Sequence, residues 1–152
     1  FVKIRERNNT IVEEAISRFT EFVYRRIDEA LFDSIETVRT AILHGGGSPR
    51  ELLRILEYAN MYADDETNKI YRKDMDKAIK KLAAETSQYV SNKDLEKLKI
   101  LKKANEQEMP VAFDEEWQDL LEKLIVLEYN DGTYKRVNPI VEASELYKQY
   151  VG

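Results

Sequence analysis

The chain has 152 residues, of which 43% are hydrophobic and 35% charged, and its formal net charge at pH 7 is −5. This is the balance of a globular protein, and no apolar run approaches the roughly 20 residues needed to cross a bilayer. The lack of cysteine excludes disulfides and thiolate metal ligands within the chain. Neither half has the basic excess that drives nucleic-acid binding, because residues 1–90 hold 15 basic and 16 acidic residues and residues 91–152 hold 9 and 13.

The first segment is predicted to be a short strand. Apolar and charged residues alternate over 1–7, which is the pattern of a half-buried strand. Seven residues cannot form a sheet alone, so we expect this strand to leave a domain that lies outside the chain. The start at Phe1 rather than at Met also favours an excerpt from a longer protein.

A bundle of about four helices is predicted to follow, because apolar residues recur at helical spacing. Gly45 is expected to end the second helix in a left-handed C-cap. The predicted helices cover 11–31, Asp33 or Ser34 to Leu43, Pro49 to Ala63, and Lys73 to Tyr89. The residues of the last helix that are predicted to face inward are Met75, Ala78, Ile79, Leu82 and Ala83.

The helix that begins after Gly45-Gly46-Gly47 has the most strongly specified start in the chain. Ser48 and Glu51 have the spacing of a capping box, and Pro49 falls at the first helical position. Arg50 then follows, although a helix N-terminus already carries partial positive charge. A cation beside a helix N-terminus suits an anion, and phosphate is the anion that this arrangement favours. The alternative is that Arg50 is solvated or pairs with a nearby carboxylate such as Glu51. For Arg54, one turn on, we favour a local pairing around Glu57 and Tyr58.

This segment resembles the sensor 2 region of the helical lid in AAA+ and related P-loop ATPases. The matching residues are Gly46, Gly47, Ser48, Pro49, Arg50, Leu52, Leu53 and Arg54. The resemblance implies that a nucleotide-binding core is missing from this chain and that the core holds ATP and Mg²⁺. It also implies that Arg50 reaches the terminal phosphates of ATP, with Gly47, Ser48 and Pro49 forming the turn that presents it.

Other chemistry is disfavoured. The glycine run is not a phosphate-binding P-loop, because Ser48-Pro49-Arg50 follows it where Lys and Ser/Thr are required. His44, the only histidine, is interpreted as a cap at a helix C-terminus rather than as a catalytic base. With no partner histidine or cysteine and no notable carboxylate spacing, we predict no metal site and no catalytic residue in the chain.

The second half is predicted to be a different module. Helices are expected over 92–103 and 113–124, followed by strands over 125–129 and 133–137. The strands are joined by Asn130-Asp131-Gly132, a strong hairpin signal. A last helix is expected from Pro139 to Tyr150.

This order of helices and hairpin resembles a winged-helix module, in which Leu120 to Tyr129 is similar to a recognition helix running into a wing. The recognition helix would be 114–123, which carries five acids and one lysine and would repel DNA phosphates. Lysines in 93–103 offset this charge in part, as do Lys135 and Arg136 on the wing, although the lysine stretch most simply forms a solvated helix face. Trp117 with Phe113 is either an interface anchor or, as we favour, ordinary core.

We therefore expect a mostly α fold, with a helical lid over 1–90 and a winged-helix-like module over 91–152. The chain is interpreted as the lid and regulatory or interaction region of a cytoplasmic AAA+-like ATPase, inert as an enzyme by itself. Its expected partners are the upstream core and a protein bound through 91–152, with DNA disfavoured and no membrane. A winged-helix DNA-binding regulator and a protein-interaction adapter without a nucleotide remain the alternatives.

Overall fold

The computed structural model describes residues 1–111, 114–129, 132 and 134–152. Within these residues the chain is mostly helical, with eight α-helices and one antiparallel hairpin of two strands, which confirms the predicted fold class. In chain order the elements are α1 (Glu13–Tyr24), α2 (Ile35–His44), α3 (Pro49–Met61), α4 (Arg72–Ser87), α5 (Asn92–Glu106), α6 (Glu115–Glu122), β1 (Val126–Tyr129), β2 (Tyr134–Val137), α7 (Pro139–Glu142) and α8 (Glu145–Tyr150).

The N-terminal segment, predicted to be a strand over 1–7, folds back on itself. Its β structure is one isolated antiparallel bridge between Arg5 and Ile11. Beside this bridge, Val12 N donates to Ile4 O at 2.9 Å, and the Ile4 side chain is buried in the bundle core. The segment thus satisfies part of its backbone hydrogen bonding with the residues that follow it.

The predicted end of the first helix is wrong, and the predicted end of the second is right in position but not in the conformation of its cap. α1 stops before the end of the helix predicted over 11–31, because Asp28 caps a separate 3₁₀ helix (Glu29–Leu31). Gly45 is the C-cap of α2, but its φ of −69° is right-handed. The left-handed conformation begins one residue later, at Gly46, where φ is +63°. The helix therefore ends at the predicted residue, and the left-handed turn follows at Gly46.

The start of α3 and the inward face of α4 are confirmed. Ser48 is the N-cap of α3, and its Oγ accepts a hydrogen bond from Glu51 N at 3.3 Å, with Pro49 in the first turn. All five α4 residues that were predicted to face inward are buried: Met75, Ala78, Ile79, Leu82 and Ala83.

The second half places two helices beside the hairpin. α5 packs against β2, and α6 contacts β1. The strands pair antiparallel, with Tyr129 opposite Tyr134 at the turn end. Of the predicted turn residues, Asn130 and Asp131 lie outside the described residues.

The single helix predicted from Pro139 to Tyr150 is in fact two helices, α7 and α8. Ser144 lies at the break and caps α8, since its Oγ accepts from Tyr147 N at 3.2 Å. The same hydroxyl donates to Val141 O at 2.6 Å. A serine that bonds nearby backbone groups in this way competes with continued helix, so the chain changes direction here.

Buried apolar side chains form two larger clusters and one small one. The first cluster is built by the N-terminal segment and α1–α4, and it also includes Ile140 of α7. The second joins α5, α6, the hairpin, α7 and α8, while Leu127, Tyr129 and Tyr134 form the small third cluster. The short helix α7 therefore contributes to both larger clusters, with Ile140 in the first and Val141 in the second.

Candidate functional site

Arg50 lies at the second position of α3, directly after the Ser48 cap and Pro49. Its side chain is exposed, and it makes no hydrogen bond or ion pair with any residue that the structure describes. The pairing with Glu51 that the sequence allowed does not form. Arg50 is therefore solvated in this chain, with a guanidinium that is open to a ligand.

The other charges of this turn are arranged differently from the prediction. Glu51 is only 7% exposed, and the nearest cation to its carboxylate is Arg54, with Nη1 4.0 Å from Oε1. Arg54 was expected to pair around Glu57 and Tyr58. Its ion pair is with Glu51, and it also donates a hydrogen bond to the Tyr58 hydroxyl. That hydroxyl in turn donates to the Glu85 carboxylate at 2.8 Å. The carboxylate that could have neutralised Arg50 is thus turned inward beside Arg54.

The glycine run has a packing function that the sequence did not reveal. Gly46 O accepts a hydrogen bond from the Tyr129 hydroxyl, and Gly47 O accepts one from Val2 N at 3.0 Å. A Cβ atom on Gly46 would lie 2.6 Å from Leu127 Cδ1, and one on Gly47 would overlap the Val2 carbonyl oxygen. The run lets the N-terminal segment and the hairpin approach the loop before α3. The only sequence signal was the concentration of three of the chain's five glycines at one place.

Of the four residues predicted to face a nucleotide, the structure exposes two. Arg50 and Pro49 are exposed, whereas Gly47 and Ser48 are buried. Gly47 and Ser48 therefore shape the turn, and Arg50 is the charged side chain that they present.

His44 closes the last turn of α2. Its Nδ1 lies 2.8 Å from Thr40 O, so that nitrogen carries the proton and donates to a helix-end carbonyl. Burial lowers the pKa of the imidazole, which favours the neutral form. The histidine thus caps the helix by a hydrogen bond, without the positive charge that a favourable interaction with the helix dipole would require.

The acidic helix α6 is neutralised by the basic helix α5. Lys93 Nζ lies 2.9 Å from Glu116 Oε1, and Lys97 Nζ lies 2.6 Å from Glu116 Oε2. These two lysines hold the pKa of the Glu116 carboxyl at about 2. Part of the lysine stretch is therefore paired with α6, which corrects the expectation of a purely solvated face.

The aromatic residue of α6 belongs to the core. Trp117 is 5% exposed and packs in the second cluster, and the Lys97 ammonium lies 5.3 Å from the centre of its ring system. Phe113, its expected neighbour, lies outside the described residues. The favoured interpretation of Trp117 as core is confirmed.

The two cations of the predicted wing contact the chain itself. Lys135 Nζ donates to Gly132 O at 2.7 Å. Arg136 donates to Glu6 O at 3.3 Å and also to Asn9 Oδ1. The hairpin is therefore held against the N-terminal segment by Arg136 rather than projecting as a free basic loop.

Neither a membrane-spanning helix nor a cluster of metal-ligating side chains is found in the part of the chain that the structure describes. No helix there is long and apolar enough to span a membrane. No group of three or more histidine, aspartate or glutamate side chains there is placed to hold a metal ion.

Comparisons with protein-family models, with curated proteins and with solved structures found no match to this chain.

Proposed function

We propose that the chain is the C-terminal lid and regulatory region of an AAA+-like P-loop ATPase, in which Arg50 contacts ATP held by a core outside this chain. ATP and Mg²⁺ bound to that core supply the phosphoryl-transfer chemistry. The observation that carries the proposal is the exposed, unpaired Arg50 guanidinium at the start of α3.

Electrostatics support a ligand for this arginine. The first turn of a helix has partial positive charge, so a cation there is stabilised only if an anion is close. The nearest candidate within the turn, Glu51, is buried and lies beside Arg54. A phosphate that approaches Arg50 meets both the guanidinium and the positive end of α3.

The contacts of the glycine run offer a route from this arginine to the second half of the chain. Gly47 directly precedes the α3 cap, and Gly46 O is bonded to Tyr129 of β1. A displacement of α3 toward a bound phosphate would therefore pull on the hairpin as well as on Val2. Lid movement would report the nucleotide state to residues 91–152 in this way.

We assign a protein partner, rather than DNA, to residues 91–152. Glu116 pairs with Lys93 and Lys97, and Arg136 is bonded to the N-terminal segment. These contacts occupy cations that a DNA-binding surface would need, while the remaining carboxylates of α6 would still face the phosphates.

The test is Arg50→Ala in the full-length gene product. We expect ATP hydrolysis to fall by about 100-fold, because a charge-assisted contact to the transferring phosphate is lost. The measurement is steady-state phosphate release. Arg25→Ala is the matched control, since Arg25 is also exposed and forms no ion pair within the described residues.

Two results would overturn the proposal. One is a full-length gene product with no nucleotide-binding core before residue 1. The other is equal turnover in Arg50→Ala and Arg25→Ala, which would favour an adapter that works without nucleotide.

A further inference from the structure

A second cationic site lies where the N-terminal segment meets the hairpin and the last two helices. A cavity of about 380 Å³ opens there, and a smaller one of about 60 Å³ adjoins it. We call the two together the junction pocket. Its two cavities share three lining residues: Asn9, Arg136 and Glu142.

Cations dominate the walls of the junction pocket, although the chain as a whole is acidic. Arg5, Arg136 and Lys148 line the larger cavity, and Lys102 and Arg7 line the smaller one. The opposing carboxylates are Glu142 and Glu106. The walls therefore carry five cations against two carboxylates.

Four of these cations form no ion pair with a described residue. Neither Arg5 nor Arg136 has a carboxylate within 4 Å among the described residues, and the same holds for Lys102 and Lys148. Burial and the charge of Arg136 lower the pKa of Arg5. The two guanidinium groups thus repel each other in a partly buried place, and an anion between them would relieve that repulsion.

Two residues of the smaller cavity carry buried polar atoms. The Tyr147 hydroxyl and the Arg136 Nε are both inaccessible to solvent, and neither has a hydrogen-bond partner in the described part of the chain. Because water does not reach these two atoms, the cavity offers a ligand the charge of Arg136 rather than either atom as a donor.

We propose that the junction pocket binds the phosphoryl group of a small phosphorylated molecule. Its walls offer the charges of Arg136, Lys102 and Lys148, which suit a compact oxyanion with several acceptor oxygens. The smaller cavity has room for such a group, and the larger one has room for the rest of the molecule. Duplex DNA does not suit a recess of this size in an acidic chain.

Glu142 lines both cavities and faces the same cations as the ligand. Burial raises the pKa of its carboxyl, while the charges of Arg136, Arg5 and Lys102 act in the opposite direction.

The junction pocket goes beyond the proposed lid function, because it uses none of the residues around Arg50. A ligand there would touch Arg5 of the N-terminal segment, Arg136 of β2 and Lys148 of α8. It would therefore tie together the two halves of the chain, as a regulatory ligand does.

The test is a calorimetric titration of the 152-residue chain with inorganic phosphate and with pyrophosphate. The ionic strength is held constant in chloride buffer. We expect saturable binding, with pyrophosphate the tighter ligand. Arg136→Gln and Lys148→Gln should each weaken it by about tenfold, since each removes one charged contact. Lys148 is exposed, so that variant keeps the test valid if Arg136→Gln fails to fold.

Two control variants separate the possible results. Lys80→Gln removes the same charge from an exposed position outside the pocket, and Arg50→Gln removes the proposed lid arginine. Retained binding in both supports the junction pocket. The inference is overturned if pyrophosphate shows no saturable binding, or if Lys80→Gln weakens that binding as much as the pocket variants do. It is also overturned if Arg50→Gln alone abolishes pyrophosphate binding. A fourth contrary result is that the pocket variants reduce binding of duplex DNA but not of pyrophosphate. Loss of binding in Arg50→Gln alone would still support the lid.

Discussion

Arg50 and Glu51 are neighbours in one helical turn, yet their side chains have opposite environments. Glu51 is buried beside the N-terminus of α3, where a carboxylate is stabilised by the helix dipole. Arg50 is exposed in the same field, which disfavours its charge. The carboxylate therefore stabilises the helix, whereas the guanidinium contributes nothing to the fold that would explain its position. This difference between the two side chains favours a ligand at Arg50.

Gly47 shows how the same loop is constrained from its other side. Its φ is +86°, and its backbone is in contact with that of Val2. We expect Gly47→Ala to lower the free energy of unfolding by about 3 kcal/mol, from left-handed strain together with overlap of the new Cβ and the Val2 carbonyl. Urea denaturation, monitored by circular dichroism, measures this change in the free energy of unfolding.

Gly152→Ala is the matched control for this substitution. Gly152 also has positive φ, at +81°, but no atom lies within 4 Å of a Cβ placed there. Its substitution carries the left-handed strain without the overlap, so it should lower the free energy of unfolding by no more than about 1 kcal/mol. A small effect of Gly47→Ala would mean that Val2 does not pack against the loop in solution.

Helix starts and inward faces were predictable because they depend on residues close in sequence. Ser48, three residues before Glu51, specifies the cap of α3 whatever packs against it. The 3.6-residue spacing of Met75, Ala78 and Leu82 specifies the buried face of α4 in the same way.

The errors fall where distant contacts decide the structure. The segment 1–7 has the alternation of a strand, but its β pairing among the described residues is a single bridge of Arg5 with Ile11. The packing of Gly46 against Leu127 and Tyr129 joins residues about 80 apart, and no local pattern encodes such a contact. The environment of Arg50 itself was left open by the sequence for the same reason.

The pairing of α5 with α6 predicts a pH dependence. Lys97 and Lys93 hold the pKa of Glu116 at about 2, below its ordinary value of 4.5. Because the folded pKa is the lower one, the stabilisation is complete above about pH 4.5 and is lost as the pH falls toward 2. We expect Glu116→Gln to be less stable than the wild type at pH 7, with the difference shrinking through this window.

Glu115→Gln serves as the control for this experiment. Glu115 is the neighbouring exposed carboxylate of α6 and forms no ion pair within the described residues. Thermal denaturation of both variants between pH 2 and 7 makes the comparison. A constant difference between the wild type and Glu116→Gln across that range would contradict the ion pairs.

At the scale of the whole molecule, the two predicted modules share contacts. Ile140 of the second half is 1% exposed within the core of the first, and Tyr129 is bonded to the loop before α3. Arg136 is bonded to the N-terminal segment. We infer that the halves stabilise each other, although each has its own buried cluster.

This coupling predicts one unfolding transition. Trp117 is the only tryptophan and lies in the second cluster, so its fluorescence reports on residues 91–152. Far-ultraviolet circular dichroism reports on the helices of both halves. The two signals should give coincident urea curves, which is the test for two-state behaviour.

Ile140→Ala should shift both curves together by about 2 to 5 kcal/mol, because it leaves a cavity in the first cluster while the tryptophan lies in the second. Ile100→Ala makes the same chemical change at a position that is 55% exposed, and it should shift neither curve by more than about 0.5 kcal/mol. Separate transitions, with Ile140→Ala moving the circular dichroism curve alone, would show that the halves fold independently and that α7 carries no coupling between them.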